Sequence, residues 1–138
     1  MKTSLATIIA AASLLAGCAS TLKALNAPKL NYTEYAGEPV KSFYLNDDAD
    51  GWSAVSKDQL VVWSGVNKAY LIKVKGYCPD LQFAQRIALT STAHTVDKFE
   101  KVIVGHDTCF INEIRPIDTK QMKEDRKLLK EQQKDAES

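Results

Sequence analysis

The chain has 138 residues, 25% of them charged, with 18 basic and 17 acidic side chains. That length suits a single domain with a core of its own. The even charge balance lacks the one-sided basic excess that phosphate binding needs, so nucleic acid is excluded as a partner.

The N-terminus reads as an export signal. Lys2 is followed by an apolar run over residues 5–15, a positive segment and apolar core of signal-peptide proportions. The run is shorter than the roughly 20 residues a membrane-spanning helix requires. It ends in Leu15-Ala16-Gly17-Cys18, which resembles the lipobox of bacterial lipoproteins. Small residues there let the chain extend into a peptidase, and the thiol is the nucleophile that takes a diacylglycerol. Cleavage between Gly17 and Cys18, with acylation of Cys18, is therefore expected. Several acyl chains on one residue give stable anchoring. Ala19 replaces the Asp that resembles an inner-membrane retention signal, which favours the inner leaflet of the outer membrane, facing the periplasm. Loss of residues 1–17 removes one of the 18 basic residues, Lys2, and leaves the mature chain formally neutral.

With Cys18 acylated, Cys78 and Cys109 remain. Outside the cytosol such a pair is ordinarily oxidised, and a Cys78–Cys109 disulfide would close a loop of about thirty residues. It would contribute about 3–4 kcal/mol by the chain-entropy model. The alternatives are a free thiol pair or metal ligation, but there is no C-x-x-C spacing and two thiols alone make a poor zinc site.

Residues 18–37 hold Ser20, Thr21, Asn26, Pro28 and Gly37 with little periodicity. They read as a lipidated tether reaching about 25 Å if flexible, with Tyr32 and Tyr35 close enough to the domain to pack on it. Residues 38–117 read as a β-rich domain. Residues 40–45 are rich in strand formers, residues 46–51 form a turn, and residues 52–56 a short strand. Residues 60–75, linked by Gly65-Val66-Asn67, read as a hairpin with Tyr70, Ile72 and Val74 on one face and Lys73 and Lys75 on the other. A short helix with Pro79 in its first turn follows, in which Leu81 and Ala84, with Phe83 nearby, cover the sheet. Residues 86–90 continue as a strand and residues 91–96 as a polar loop. Residues 98–104 place Phe99 and Ile103 opposite Val102 and Val104. They pair through Gly105-His106-Asp107 with residues 108–115, where Pro116 ends the strand. Asp118 caps a charged C-terminal helix or tail, residues 118–138, with Gln121 as the partner in a capping box. Its thin apolar stripe predicts a solvated helix.

Candidate chemistry is sparse. Asn46-x-Asp48-x-Asp50-Gly51 resembles the first half of a calcium loop, but Lys57 stands where the closing bidentate Glu belongs, and Asx and Gly residues serve any turn. His106-Asp107-x-Cys109 invites a metal or nucleophile reading that a disulfide at Cys109 would remove. Glu113 and Arg115 share a strand face as a surface pair. Trp52, Trp63, Tyr70, Phe83, Phe99 and Phe110 are spaced as core residues.

The stretches Ala36-Gly37-Glu38-Pro39-Val40, Trp52, Leu60-Val61-Val62-Trp63, Ala69-Tyr70-Leu71, Cys78-Pro79-Asp80-Leu81 with Ile87, Phe99-Glu100-Lys101-Val102 and Cys109-x-Ile111-x-Glu113-Ile114-Arg115-Pro116 follow one another in this order. Together they resemble a proteobacterial family of small lipoproteins, domain of unknown function 6491. Glu100 departs from the Asp common after that Phe. The resemblance implies an envelope location and two paired cysteines and carries no activity, so no catalytic residue is transferred. The expected fold is α+β, mainly antiparallel β: a small disulfide-stapled sheet or partial barrel with one short helix and a charged C-terminal helix. The expected function is a non-enzymatic, periplasm-facing binding or accessory module without a cofactor, held to the membrane through Cys18 and meeting an unidentified periplasmic protein. An inhibitor of an envelope enzyme is one form of it. A small-ligand or calcium-binding protein, using either the Asn46–Gly51 loop with Asn46, Asp48 and Asp50 or an aromatic groove, is the rival.

Overall fold

The alternation along residues 60–75 becomes the middle of a six-stranded antiparallel sheet. The computed structural model describes residues 30–46 and 51–138. In chain order the strands are β1 (Ser42–Tyr44), β2 (Gly51–Ala54), β3 (Gln59–Gly65), β4 (Lys68–Val74), β5 (Ala88–Leu89), β6 (Thr95–Asp97), β7 (Lys101–Val104) and β8 (Asp107–Ile117). Two 3-10 turns, Tyr32–Tyr35 and Leu81–Phe83, and one helix, α1 (Thr119–Glu137), complete the described chain. The large sheet runs β2-β3-β4-β8-β7-β5, and β1 and β6 form a separate two-stranded ribbon. The architecture is mainly antiparallel β, a curled half-barrel with one C-terminal helix.

The concave face holds the main core. Leu60 and Val62, Ile72 and Val74, Ile111 and Ile114, and Val102 and Val104 point inward from four neighbouring strands and are buried. Phe43 from β1 and Val96 from β6 fill the curl with Leu81. Phe43 stacks on Tyr70 with ring centroids 4.3 Å apart, an offset pair that adds to simple area burial. Ile111 and Ile114 are three residues apart, so strict alternation would put them on opposite faces. A bulge resolves this. Lys73 faces Glu113 whereas Val74 faces Ile111, leaving Asn112 as the extra residue, and both isoleucines reach the core.

The convex face is covered over one half only. Val61, Ala69, Leu71 and Ile117 make a second cluster with Met122 of α1, and Leu30, Tyr32, Tyr35 and Trp63 pack against it. The helix is therefore docked by its first turns and exposed beyond. Thr119 and Met122 are buried, while Leu128 is exposed. Asp118 caps as expected, its side chain accepting from the Gln121 N–H at 3.0 Å. Gln121 does not complete the box, because the Asp118 N–H donates instead to the Tyr35 carbonyl at 2.8 Å, and the Gln121 amide donates to Asp125. Tertiary ties do the rest. Thr119 Oγ1 donates to the Asn67 carbonyl (2.8 Å), Lys123 Nζ to Asn67 Oδ1 (2.6 Å), and the Tyr35 hydroxyl to Asp125 (2.8 Å).

Several elements differ from expectation. The folded chain starts no later than Leu30, since residues 30–37 pack on the sheet and Ala36 bridges Ile117; residues 18–29 lie outside the described residues. The helix after Pro79 is a single 3-10 turn, and it buries Leu81 while leaving Phe83 83% exposed. Residues 86–90 contribute only the two-residue β5, and the polar loop of residues 91–96 ends in β6 with Val96 buried. Pro116 does not end its strand. It pairs with Tyr70 inside β8, and its carbonyl accepts from the Gly37 N–H at 2.8 Å on the opposite edge. A residue's N–H and C=O point to the same edge, so the donor proline lacks is not one the β4 ladder needs.

Met122→Ala empties a closed site and is expected to lower unfolding free energy by about 2–5 kcal/mol in urea titration. Leu128→Ala, on the exposed part of the same helix, should stay within about 0.5 kcal/mol.

Candidate functional site

The covalent brace fixes one end of the sheet. Gly76, at φ +69°, turns the chain after β4, and Cys78 then donates its N–H to the Lys57 carbonyl. This brings Cys78 beneath β8, where it is bonded to Cys109, with Cα atoms 6.0 Å apart and a sequence separation of 31. Both sulfurs lie in the core. Neither is a thiolate, so the His106-Asp107-x-Cys109 string has no nucleophile or soft ligand.

The remaining sequence candidates are scattered. Gly17, Cys18, Asp48 and Asp50 lie outside the described residues. Asn46 donates its side-chain amide to the Ser64 carbonyl at 3.1 Å, a tie between the turn and the β3 bulge. His106 sits on the exposed turn between β7 and β8. His94 belongs to another turn, in which both it and Ala93 have positive φ, and its ring lies 5.8 Å from that of Tyr44. Among the described residues no group of three or more His, Cys, Asp or Glu side chains could hold a metal ion. Glu113 and Arg115 form an ion pair on the convex face, and Arg115 Nη1 also donates to the Gly37 carbonyl at 3.3 Å.

What the strands assemble instead is an uncovered half of the convex face. The pairings place Lys73 opposite Glu113, Lys101 opposite Phe110 and Ile103 opposite Thr108. Lys75 lies next to Phe110, donating its N–H to the Phe110 carbonyl at 2.8 Å. Phe99, on the turn that precedes β7, borders a groove with Glu113 and is 77% exposed, with Phe110 at 49%. Each aromatic ring carries an ammonium: Lys98 lies 5.5 Å from the Phe99 centroid, Lys101 5.4 Å from Phe110, and at the sheet's end Lys57 lies 5.8 Å from Tyr77. Such contacts are favourable at exposed sites and keep a hydrophobic ring wetted by a charge. Phe99 also borders an open groove of about 610 Å³ shared with Val40, Ser42, Asn112 and Ile114.

The loop presenting Phe99 is held by acceptors. Asp97 Oδ1 takes the Phe99 N–H at 2.7 Å. Glu100 accepts from the hydroxyls of Thr90 and Thr92, the latter at 2.7 Å. These bonds to the ionised form, with Lys101 alongside, hold the Glu100 carboxyl below its ordinary range against a smaller opposing effect of burial. Glu100 is thus an anchor for the loop.

Sequence reasoning missed this face because it assigned Phe83, Phe99 and Phe110 to the core. The signal was present in the alternation of Phe99, Lys101 and Ile103 against Val102 and Val104.

Fold and surface together define a small antiparallel β domain, braced by one disulfide, with an exposed lysine–aromatic face. The chain belongs to a family of unknown function (DUF6491), whose model matches residues 1–133. No curated protein and no solved structure matches it.

A carboxylate with a depressed folded pKa stabilises the fold above the unfolded carboxylate range, and loses that contribution as pH falls through the folded value. Glu100→Gln removes this term. The stability advantage of the natural protein over the variant should therefore be largest near neutral pH and shrink on the acid side of the carboxylate range, measured as urea midpoints against pH.

Proposed function

We propose that the chain is an envelope lipoprotein, cut before Cys18 and acylated there, whose domain serves as a non-enzymatic binding or accessory module facing the periplasm. The single observation that carries the binding role is the uncovered half of the convex face, where Phe99, Phe110 and Ile103 are exposed beside Lys75, Lys98 and Lys101. Large apolar side chains grouped on a surface mark contact sites. The address rests on the apolar run and Leu15-Ala16-Gly17-Cys18. It is supported by the Cys78–Cys109 disulfide, which suits an oxidising compartment. Inhibition of an envelope enzyme is one form the role takes. The calcium reading is weaker, because Lys57 stands in place of the closing carboxylate.

Intact-mass analysis of protein extracted from the membranes of its host should show a chain starting at Cys18, carrying acyl groups and two protons lighter for the Cys78–Cys109 bond. Cys18→Ser should move the protein out of the membrane fraction. A mass that retains Met1 and three alkylatable thiols would contradict this reading.

A further inference from the structure

The convex face divides at its middle. One half is closed by α1 and the Tyr32–Tyr35 turn; the other is open and carries lysines and aromatics without a partner element. The open half carries more ammonium groups than carboxylates although the mature chain is formally neutral. Lys73, Lys75, Lys98 and Lys101 lie on it, with Lys57 at its end, and none of them forms an ion pair within the described residues. The carboxylates among them are Glu113, held by Arg115, and Glu100, which accepts from the Thr90 and Thr92 hydroxyls beside Lys101. At the margins, Asp97 accepts from the Phe99 N–H and Asp58 from the Ser56 hydroxyl.

The chemistry of this half-face distinguishes between occupants. Protein interfaces favour Arg and are depleted in Lys. Here lysines predominate: Phe99, Phe110 and Tyr77 each lie under one, Arg115 is already paired with Glu113, and Arg86 stands at the margin beside Phe83 and Ile103. Lysine beside aromatic rings suits the headgroup layer of a bilayer, where rings sit at the interface and ammonium groups meet lipid phosphates. Placement agrees. Leu30, the first described residue, packs into the convex-face cluster with Val61 and Met122, so the anchor-bearing segment joins the domain on the same side of the sheet as the lysines.

We propose that the open half of the convex face, through Lys75, Lys98, Lys101, Phe99 and Phe110, lies against a bilayer surface bearing anionic lipid headgroups and orients the domain on the membrane that holds it. The proposal rests on the acylation of Cys18. Anchoring keeps the domain at high effective concentration near the surface, so a weak, salt-sensitive contact is enough to set orientation.

The test uses the acylated protein, its lipid confirmed by intact mass, reconstituted in vesicles of phosphatidylcholine with or without phosphatidylglycerol. Lysine acetylation is followed residue by residue. On phosphatidylglycerol vesicles, Lys75, Lys98 and Lys101 should react roughly fivefold more slowly than on phosphatidylcholine alone, and added salt should erase the difference. Lys127 and Lys134 on the exposed part of α1 serve as the unprotected reference. Lys75→Glu with Lys101→Glu, both exposed and outside the core, should abolish the protection of Lys98. Equal labelling on both vesicles in acylated protein overturns the docking while leaving the anchor intact. Protection that ignores lipid charge but grows with protein density overturns it in favour of a second copy of the chain. A mass without acyl groups removes the anchor, and the proposal with it.

Discussion

Strand β8 is the constraint on which the rest depends. Its eleven residues serve three neighbours. One edge pairs with β4 over residues 111–117; the other is shared by β7, over residues 107–110, and by the N-terminal segment, through Gly37 to Pro116 and Val40 to Ile114. The same strand supplies Cys109, Ile111 and Ile114 to the concave core and Phe110, Glu113 and Ile117 to the convex face. A strand with both edges paired and both faces in use tolerates no slip, because a shift of one residue would exchange its core for its surface. The Asn112 bulge is the local adjustment that lets an imperfect alternation satisfy all of these demands.

The disulfide extends that logic beyond hydrogen bonds. Cys78 lies just past β4 and Cys109 on the neighbouring strand, so the bond closes a 31-residue excursion that includes β5, β6 and β7. Those strands are two to four residues long and carry little ladder of their own. Tying the ends of the excursion lowers the entropy of the unfolded chain, where short strands provide least compensation. Leu81, three residues after Cys78, is fully buried beside the bond, so the brace also sets where the Leu81–Phe83 turn lands. Phe83 is directed out as a consequence.

The two halves of the convex face follow from how little of α1 is apolar. Met122 alone is fully buried on that helix, and one anchor with a capped first turn covers only the β3-β4-β8 end of the sheet. Beyond it the convex positions turn to Lys73, Lys75 and Lys101, with Phe99 and Phe110 between them. The surface proposed for docking is the part of the sheet that the helix is too polar to close over.

The sequence by itself determined what depends on near neighbours: the β3–β4 and β7–β8 hairpins, because alternation and short turns are local; the Asp118 cap; the α+β class; and the pairing of Cys78 with Cys109, the two cysteines left once Cys18 is set aside. Only the tertiary structure decided which face each aromatic residue meets. A phenylalanine that alternates with valine reads the same whether its side of the sheet is covered or open, and the covering element, α1 over Met122, lies far away in sequence. The same reason explains Pro116, whose missing donor is harmless only because of the edge it faces, and residues 30–37, whose strand-like bridge to Ile117 needs a partner about eighty residues on. Coverage, edges and long-range pairing are properties of the assembled sheet, and local pattern does not encode them.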